Sequence, residues 1–203
     1  IIGYLTLLTD EKEIPENLQK KYMDIALKKS LRLEELTNQF FDITRYNLQS
    51  MPITKQNIDL VFLLEQLVEE SYPMLQEKKL ECILNKPKAI QFMGDGDKLA
   101  RAFGNLLKNA INYSYLNTTI KIDIKEYEDK IEIVFKNKGD KIPEYKLEKI
   151  FDKFYRADES RTSSTGGAGL GLAITKQIIE LHNGKIYAKN DNEFIEFYIE
   201  LSK

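Results

Sequence analysis

The chain has 203 residues, of which 42% are hydrophobic and 31% are charged, so a packed core is expected in one sizeable domain, alone or with a smaller piece. The net charge of −2 gives no general reason to expect nucleic-acid binding. A single cysteine, Cys82, excludes an intrachain disulfide and a cysteine-based zinc site, and its alternating surroundings predict a small core residue.

Residues 1–50 predict a helical hairpin. The first nine residues are typical of a helix end, and Pro15 fits the first turn of a second helix that continues to about residue 48. The apolar seam of the second helix keeps heptad spacing, with one violation at Lys29, through Tyr22, Ala26, Leu33, Leu36, Phe40 and Ile43. Nine residues cannot bury such a seam, so either the first helix is longer upstream or a second chain covers it. We favour a hairpin that forms a homodimeric bundle, which truncation would weaken. The opening Ile1-Ile2-Gly3-Tyr4 lacks an initiator methionine, and we expect the true N-terminus to lie upstream.

A second region, 58–203, follows a predicted linker at 51–57 that contains Pro52. Its first helix is predicted over Asp59–Glu77, and another helix, capped by Asp97, ends near Tyr113. Strands are predicted at 80–84, 89–93, 119–127, 130–135, 185–189 and 194–201, the last four as two hairpins. Because strands and helices are interleaved, we expect an α+β fold with helices packed on one face of a sheet.

Three asparagines lie at helical spacing on the helix that begins near Asp97: Asn105, Asn109 and Asn112. Asparagine is a mediocre helix former, so this stripe needs a reason. A solvated face is one explanation. A set of neutral oxygen ligands facing a phosphate-bound Mg²⁺ is the other, and it is the one that we favour.

A glycine-rich stretch precedes the last predicted helix and contains Gly166, Gly167, Gly169 and Gly171. Glycines at a helix N-terminus let backbone N–H groups approach a phosphate closely, although a mobile loop would have the same composition. Leu172 and Ala173 exclude both the P-loop and the dinucleotide-binding fingerprint.

Further candidates flank this stretch. Asn137 is either a plain turn residue or a reader of adenine, and its spacing does not decide between the two. Phe151 and Phe154 are expected in the core. Lys153, Arg156 and Arg161 flank a polar segment, 160–165, that we interpret as a lid able to clamp a terminal phosphate. The only histidine, His182, is predicted to be structural.

Four of these stretches together resemble the sensor histidine kinases of bacterial two-component systems. Residues 105–110 (NLLKNA) resemble the N box, and Asn137-x-Gly139 with Ile142-Pro143 resembles the G1 box. Residues 151–156 (FDKFYR) and 167–172 (GAGLGL) resemble the F and G2 boxes, and the hairpin resembles the dimerisation and phosphotransfer helices. Within the family, residues 1–4, 112–114 and 165–168 resemble the vancomycin-resistance sensors.

The resemblance implies an ATP-binding α/β sandwich of the Bergerat type, shared with gyrase and Hsp90. It implies that Asn109 ligates Mg²⁺, Asn105 lies beside the phosphates, Asn137 reads adenine and Gly139 lies beneath the base. The implied catalytic residues are Asn105, Lys153 and Arg156. The implied nucleotide-binding residues are Asn105, Asn109, Asn112, Tyr113, Asn137, Gly139, Ile142, Gly166, Gly167, Gly169, Leu170 and Gly171.

Departures from the family pattern limit these expectations. Asn137 replaces the usual Asp, Lys141 replaces a usual Gly, and Asn112 replaces a Lys or Arg. The run that carries the phosphoacceptor histidine is absent, and His182 matches an unrelated position, so we expect ATP binding without autophosphorylation. The expected whole is a membrane sensor whose cytoplasmic portion acts on a response regulator. The alternatives are an ATPase of the same fold, or a non-catalytic dimerisation module with a degenerate nucleotide domain.

Overall fold

The computed structural model describes residues 1–10, 14–47, 53–155 and 169–203. The chain divides into two compact units, Ile1–Ser50 and Met51–Lys203. None of the helices in the described part of the chain combines the length and the hydropathy that a membrane span requires.

The N-terminal unit contains helices α1 (Ile2–Asp10) and α2 (Glu16–Asn47), which confirms the predicted helical pair. The Tyr4 and Tyr22 rings pack across the pair with centroids 5.6 Å apart. Of the predicted seam, Ala26 is buried but Leu33 is 56% exposed. Nearby apolar side chains of α2 are also at least half exposed: Met23, Leu27 and Leu31. The seam residues Leu36, Phe40 and Ile43 have side chains outside the described set.

The second unit opens with a short strand, β1 (Gln56–Asp59), which begins inside the segment predicted to be a linker. Helix α3 (Leu60–Glu70) follows because Asp59 Oδ1 accepts a hydrogen bond from the Val61 N–H at 2.9 Å. The single helix predicted over 59–77 is wrong. It breaks at Ser71, and Pro73 lies in the first turn of a separate helix, α4 (Tyr72–Glu77), where its missing N–H costs nothing.

The predicted strands are present, but they form two sheets rather than one. Five strands form a mixed sheet, in the spatial order β2 (Glu81–Asn85), β4 (Thr119–Glu126), β5 (Lys130–Lys138), β7 (Phe194–Ser202) and β6 (Lys185–Asp191). Strands β2 and β4 are parallel, and the other neighbouring pairs are antiparallel. Strand β3 (Gln91–Gly94) instead pairs with β1 in a separate two-stranded sheet. The fold is α+β, as predicted.

One face of the mixed sheet is apolar and carries the core. Isoleucines fill this face of β4 and β5, and the Phe135 ring lies 6.4 Å from that of Phe103 on helix α5 (Gly96–Tyr113). Helix α6 (Gly171–Leu181) packs beside α5 and buries Ile174 and Ile178. The opposite face carries charged pairs, such as Lys136 between Asp123 and Glu196 at 3.2 Å from each.

Two smaller predictions need correction. Asp95, not Asp97, caps α5, because Asp95 is extended and its Oδ1 accepts from the Lys98 N–H at 3.1 Å. Burial acts to raise the pKa of Asp95, but hydrogen bonds from Lys98 and Thr54 outweigh it and lower the pKa overall. Cys82 is half-buried rather than fully in the core, and burial raises the pKa of its thiol to about 11.

Candidate nucleotide-binding site

Helix α5 carries the predicted asparagine stripe, and its first member, Asn105, contacts the start of α6. Asn105 Nδ2 donates to the Gly171 carbonyl oxygen at 3.2 Å and lies 3.5 Å from Thr175 Oγ1. The buried Thr175 hydroxyl donates to the same carbonyl at 2.8 Å. The N box and the G2 box are therefore in direct contact.

The other members of the stripe lie toward the C-terminal end of α5. Asn109 and Asn112 are half-buried and Tyr113 is 37% exposed. The Asn112 carbonyl accepts a hydrogen bond from Lys78 Nζ at 3.0 Å, which satisfies a carbonyl in the last turn of the helix. No described residue hydrogen-bonds to the Asn109 side chain, so its amide oxygen is available to a ligand.

The G1 turn packs tightly against this end of α5. A Cβ on Gly139 would lie 2.3 Å from the Tyr113 carbonyl oxygen, so only glycine fits there. The Tyr115 N–H donates to the Lys138 carbonyl at 2.8 Å and fixes the same approach. Protein packing alone therefore explains Gly139, whatever binds nearby.

Asn137 lies at the end of β5 on the apolar face of the sheet. Its side chain is only 2% exposed, and it shares that face with Phe135, which packs against α5. Its Nδ2 atom is the one buried side-chain polar atom without a hydrogen-bond partner among the described residues. Because leaving such a group unpaired costs about 1–3 kcal/mol, a ligand that pairs with it is favoured. The alternative interpretation of Asn137 as a plain turn residue does not explain this burial.

Asn190 on β6 holds the G1 turn from the other side, and sequence reasoning did not find it. The Ile142 N–H donates to Asn190 Oδ1 at 3.2 Å, and Asn190 Nδ2 donates to the Ile142 carbonyl at 2.7 Å. This two-point contact joins residues 48 positions apart, so no local signal in the sequence could have indicated it.

The F box contacts the glycine-rich stretch through its backbone. The Phe154 N–H donates to the Gly169 carbonyl at 3.0 Å. Gly169 has a φ of +73°, and a Cβ there would lie 2.9 Å from the Phe154 carbonyl carbon. Phe151 is buried as predicted, but the prediction for Phe154 is wrong: its positive φ turns the ring outward and leaves it 65% exposed.

Of the remaining predicted site residues, the structure describes some and not others. Leu170 is buried at the start of α6, Lys153 is exposed, and a Cβ on Gly171 would make an ordinary contact with Asn105 at 3.7 Å. Arg156, Gly166, Gly167 and the predicted lid with Arg161 lie outside the described residues.

His182 is held by backbone groups on both ring nitrogens, as expected for a structural residue. Nε2 accepts from the Asp95 N–H at 3.0 Å, and Nδ1 lies 2.8 Å from the Ile178 carbonyl, which can only accept. The ring is therefore neutral, with its proton on Nδ1. Burial lowers the pKa of His182, and the nearby Lys55 and Lys98 lower it further.

Candidate metal ligands in the site are amide oxygens rather than a charged cluster. Within residues 1–10, 14–47, 53–155 and 169–203, no group of three or more His, Cys, Asp or Glu side chains could hold a metal ion. The amide oxygen of Asn109 suits Mg²⁺, which prefers oxygen ligands and usually shares them with substrate phosphates.

Comparison with known proteins identifies the class to which this fold and site belong. Residues 94–203 match the family described as histidine kinase-, DNA gyrase B- and HSP90-like ATPases, and the chain belongs to that family. The catalytic domain of the histidine kinase ThkA is similar over 75% of this chain and 97% of that one, with a TM-score of 0.66 and 28% identity.

A closer similarity is to a sensor protein. The sensor protein VanS of Enterococcus faecium is 48% identical over 201 residues, which cover 99% of this chain and 52% of that protein. A structure of ThkA in complex with the response regulator TrrA is similar in fold, with a TM-score of 0.78 at 24% identity, over 99% of this chain and 56% of that one. The resemblance to vancomycin-resistance sensor kinases is confirmed, and the chain spans about half the length of the curated relatives it matches.

Proposed function

We propose that this chain is the ATP-binding catalytic portion of a sensor histidine kinase. One observation carries the proposal: the N and F boxes contact the G2 box, and the G1 box packs on the end of the helix that carries the N box. Asn105 pairs with Gly171, Gly139 packs on Tyr113, and Phe154 pairs with Gly169. In a chain of this ATPase family, so many separated motifs meeting at one place support a shared nucleotide site.

The base of the nucleotide would be held between β5 and the G1 turn. Asn137 supplies the buried, unpartnered amide that would pair with adenine, and the Ile142 backbone, held by Asn190, forms the neighbouring wall. Because packing already requires Gly139, its position beneath the base is a lesser part of the proposal.

The phosphates would lie at the start of α6, with Asn109 as the Mg²⁺ ligand. The N-cap residue of α6, Leu170, makes no side-chain hydrogen bond to the first turn, so the described residues leave its N–H groups and the positive end of the helix dipole for an anion. Gly171 supports this placement because a Cβ there would make only ordinary contacts, at 3.7 Å or more, with the described residue Asn105, whereas close approach of a ligand would require a glycine. Lys153 and Arg156 would approach from the F box.

The phosphoryl acceptor would be a histidine outside these 203 residues, and the final acceptor an aspartate of a response regulator. The only histidine of the chain, His182, is unsuited because it is 2% exposed and both its ring nitrogens are engaged. The complex of ThkA with its response regulator supports the class of partner. A cytoplasmic location below a membrane sensor belongs to the same proposal.

Helix α2 supports a proposed homodimer. Three of its apolar side chains, Met23, Leu27 and Leu31, are each at least half exposed, and such surfaces are normally covered in a stable fold. A second copy of the helical pair would cover them in a bundle.

Calorimetric titration of the 203-residue chain with a non-hydrolysable ATP analogue tests the proposal. We expect saturable one-site binding that weakens when Mg²⁺ is removed. Replacing Asn109 with Ala should remove most of the Mg²⁺ effect. Asn85→Ala is the matched control, because Asn85 is exposed on β2 and pairs with Asp123 on the opposite face of the sheet.

Two results would favour the alternatives. If the calorimetric titration shows no heat of binding at millimolar nucleotide, the hypothesis of a non-catalytic dimerisation module would be favoured. Hydrolysis near the common enzyme turnover of about 10 s⁻¹ would favour an ATPase of the same fold. We expect slow hydrolysis, because the Asn105 amide cannot take a proton from water.

A further inference from the structure

The side chain of Asn137 differs from a carboxylate in one respect that bears on the choice of nucleobase. An amide offers a hydrogen-bond acceptor at one end and a donor at the other, whereas an ionised carboxylate only accepts. A neighbouring partner in the protein would normally fix which end points at the ligand.

Asn137 has no such partner in the described part of the chain. Its Nδ2 is buried and unpaired, and no described residue hydrogen-bonds to its Oδ1. Asn137 is 2% exposed, and a Cβ on Gly139 would lie 3.4 Å from its Nδ2, so the G1 turn lies against the amide. Because no described hydrogen bond fixes the amide and its two ends are nearly equal in size, a half-turn exchanges donor and acceptor without changing its shape.

The two rotamers match two kinds of purine. Adenine presents a donor at N6 and an acceptor at N1, so Oδ1 would meet the amino group and Nδ2 the ring nitrogen. Guanine and hypoxanthine present an acceptor at O6 and a donor at N1, and the half-turn reverses the amide to match them. A carboxylate in the same pose would place two acceptors, its own oxygen and O6, against each other.

We propose that Asn137 lets this site bind 6-oxopurine nucleotides as well as adenine nucleotides. The inference rests on the proposed nucleotide site and specifies the class of ligand that it takes. Asn190, by fixing Ile142, would hold the base edge in one pose while the Asn137 amide alone adapts to it.

Displacement of a fluorescent mant-ADP probe in the presence of Mg²⁺ tests the proposal. ADP, IDP and GDP are titrated against the 203-residue chain, and we expect IDP or GDP to compete within about tenfold of ADP, because the reversed amide pairs with the 6-oxopurine edge as completely as with adenine. The isosteric Asn137→Asp variant should still bind ADP but should weaken IDP relative to ADP by about tenfold or more.

The outcomes separate the two proposals. Failure of the probe and of ADP to bind would overturn the nucleotide site itself. Competition by ADP but by neither IDP nor GDP would overturn only the proposed breadth. An unchanged ratio of IDP to ADP in Asn137→Asp would also overturn it. Asn137→Ala, which removes both ends of the amide, should weaken ADP and IDP alike, and a selective loss of one base would contradict the rotation argument.

Discussion

Replacing Gly139 with Ala should open the contact between the G1 turn and α5. The new Cβ would lie 2.3 Å from the Tyr113 carbonyl oxygen, whereas real Cβ contacts stay above 3.0 Å, so the two segments must separate by about 0.7 Å. The carbonyl cannot move alone, because the Tyr115 N–H is bonded to the Lys138 carbonyl beside it. Overpacking of this kind costs about 1–3 kcal/mol.

Thermal unfolding measures the cost, and Gly104→Ala is the matched control. A Cβ on Gly104, in the middle of α5, would make only an ordinary contact of 3.7 Å with Leu67. Alanine favours a helix interior over glycine by about 0.5–1 kcal/mol, so this variant should be as stable as the parent or more so. Gly139→Ala should instead melt several degrees lower, since about 1 kcal/mol shifts a domain of this size by roughly 2–4 °C.

Nucleotide affinity gives a second measure of the same change. Because the G1 turn carries one wall of the proposed base site, Gly139→Ala should also weaken ADP binding, and Gly104→Ala should not. If Gly139→Ala melts no lower than Gly104→Ala and binds ADP equally well, the close approach to Tyr113 does not matter and the reasoning fails.

Two further predictions concern residues that hold the site from outside. Asn190→Ala should remove both hydrogen bonds to Ile142 and weaken ADP binding by about tenfold, since each such bond usually contributes about 0.5–1.5 kcal/mol. The control variant Asn192→Ala, in the adjoining turn, should bind ADP as the parent does. Equal ADP affinities of the two variants would contradict the positioning role of Asn190. His182 has a pKa below its ordinary 6.5 in the fold, so its contribution to the free energy of unfolding should be complete above pH 6.5 and fall as pH drops below it. Urea unfolding from pH 8 to 5 checks this, and His182→Asn should flatten that part of the curve; an unchanged slope would show that another group titrates.

Periodicity predicted most of the second unit because its elements are strongly patterned. Helix α5 ends at Tyr113 as expected, and its buried side chains, which include Leu99, Phe103, Leu107 and Ile111, recur at helical spacing. Both predicted hairpins are present, since alternation over several residues specifies which face of a strand is buried.

Two of the errors involve contacts between segments distant in the sequence, whereas the helix break at Ser71 has a local cause in Pro73. Asp95 and Asp97 are equivalent as caps in the sequence, and the structure selects Asp95, whose Oδ2 also accepts from the Thr54 N–H at 3.1 Å. Phe154 follows the helical spacing of a core residue, but its backbone instead adopts a positive φ to bond with Gly169. Neither outcome has a local cause that composition or spacing could reveal.

The four boxes could be recognised from the sequence, but their connections could not. The predicted reason for Gly139 was a ligand, and the structure provides a sufficient reason in the Tyr113 carbonyl. A Cβ on Gly171 would instead make only ordinary contacts, at 3.7 Å or more, with Asn105 in the described part of the chain. Motif glycines therefore differ in what they support, and only Gly171 among those described points to a ligand.

Asn105 can also be explained by protein packing, by its role at the site, or by both, and this bears on the choice between kinase and ATPase. In an ATPase of this fold a carboxylate at this position would serve as general base. Here the Nδ2 donor of Asn105 holds the Gly171 carbonyl, and Thr175, whose Oγ1 lies 3.5 Å from that Nδ2, donates to the same carbonyl. A carboxylate at position 105 would face the carbonyl with another acceptor and would weaken the contact between α5 and α6. The contact between α5 and α6 therefore favours an amide at position 105, and an amide cannot act as the general base that hydrolysis by water needs.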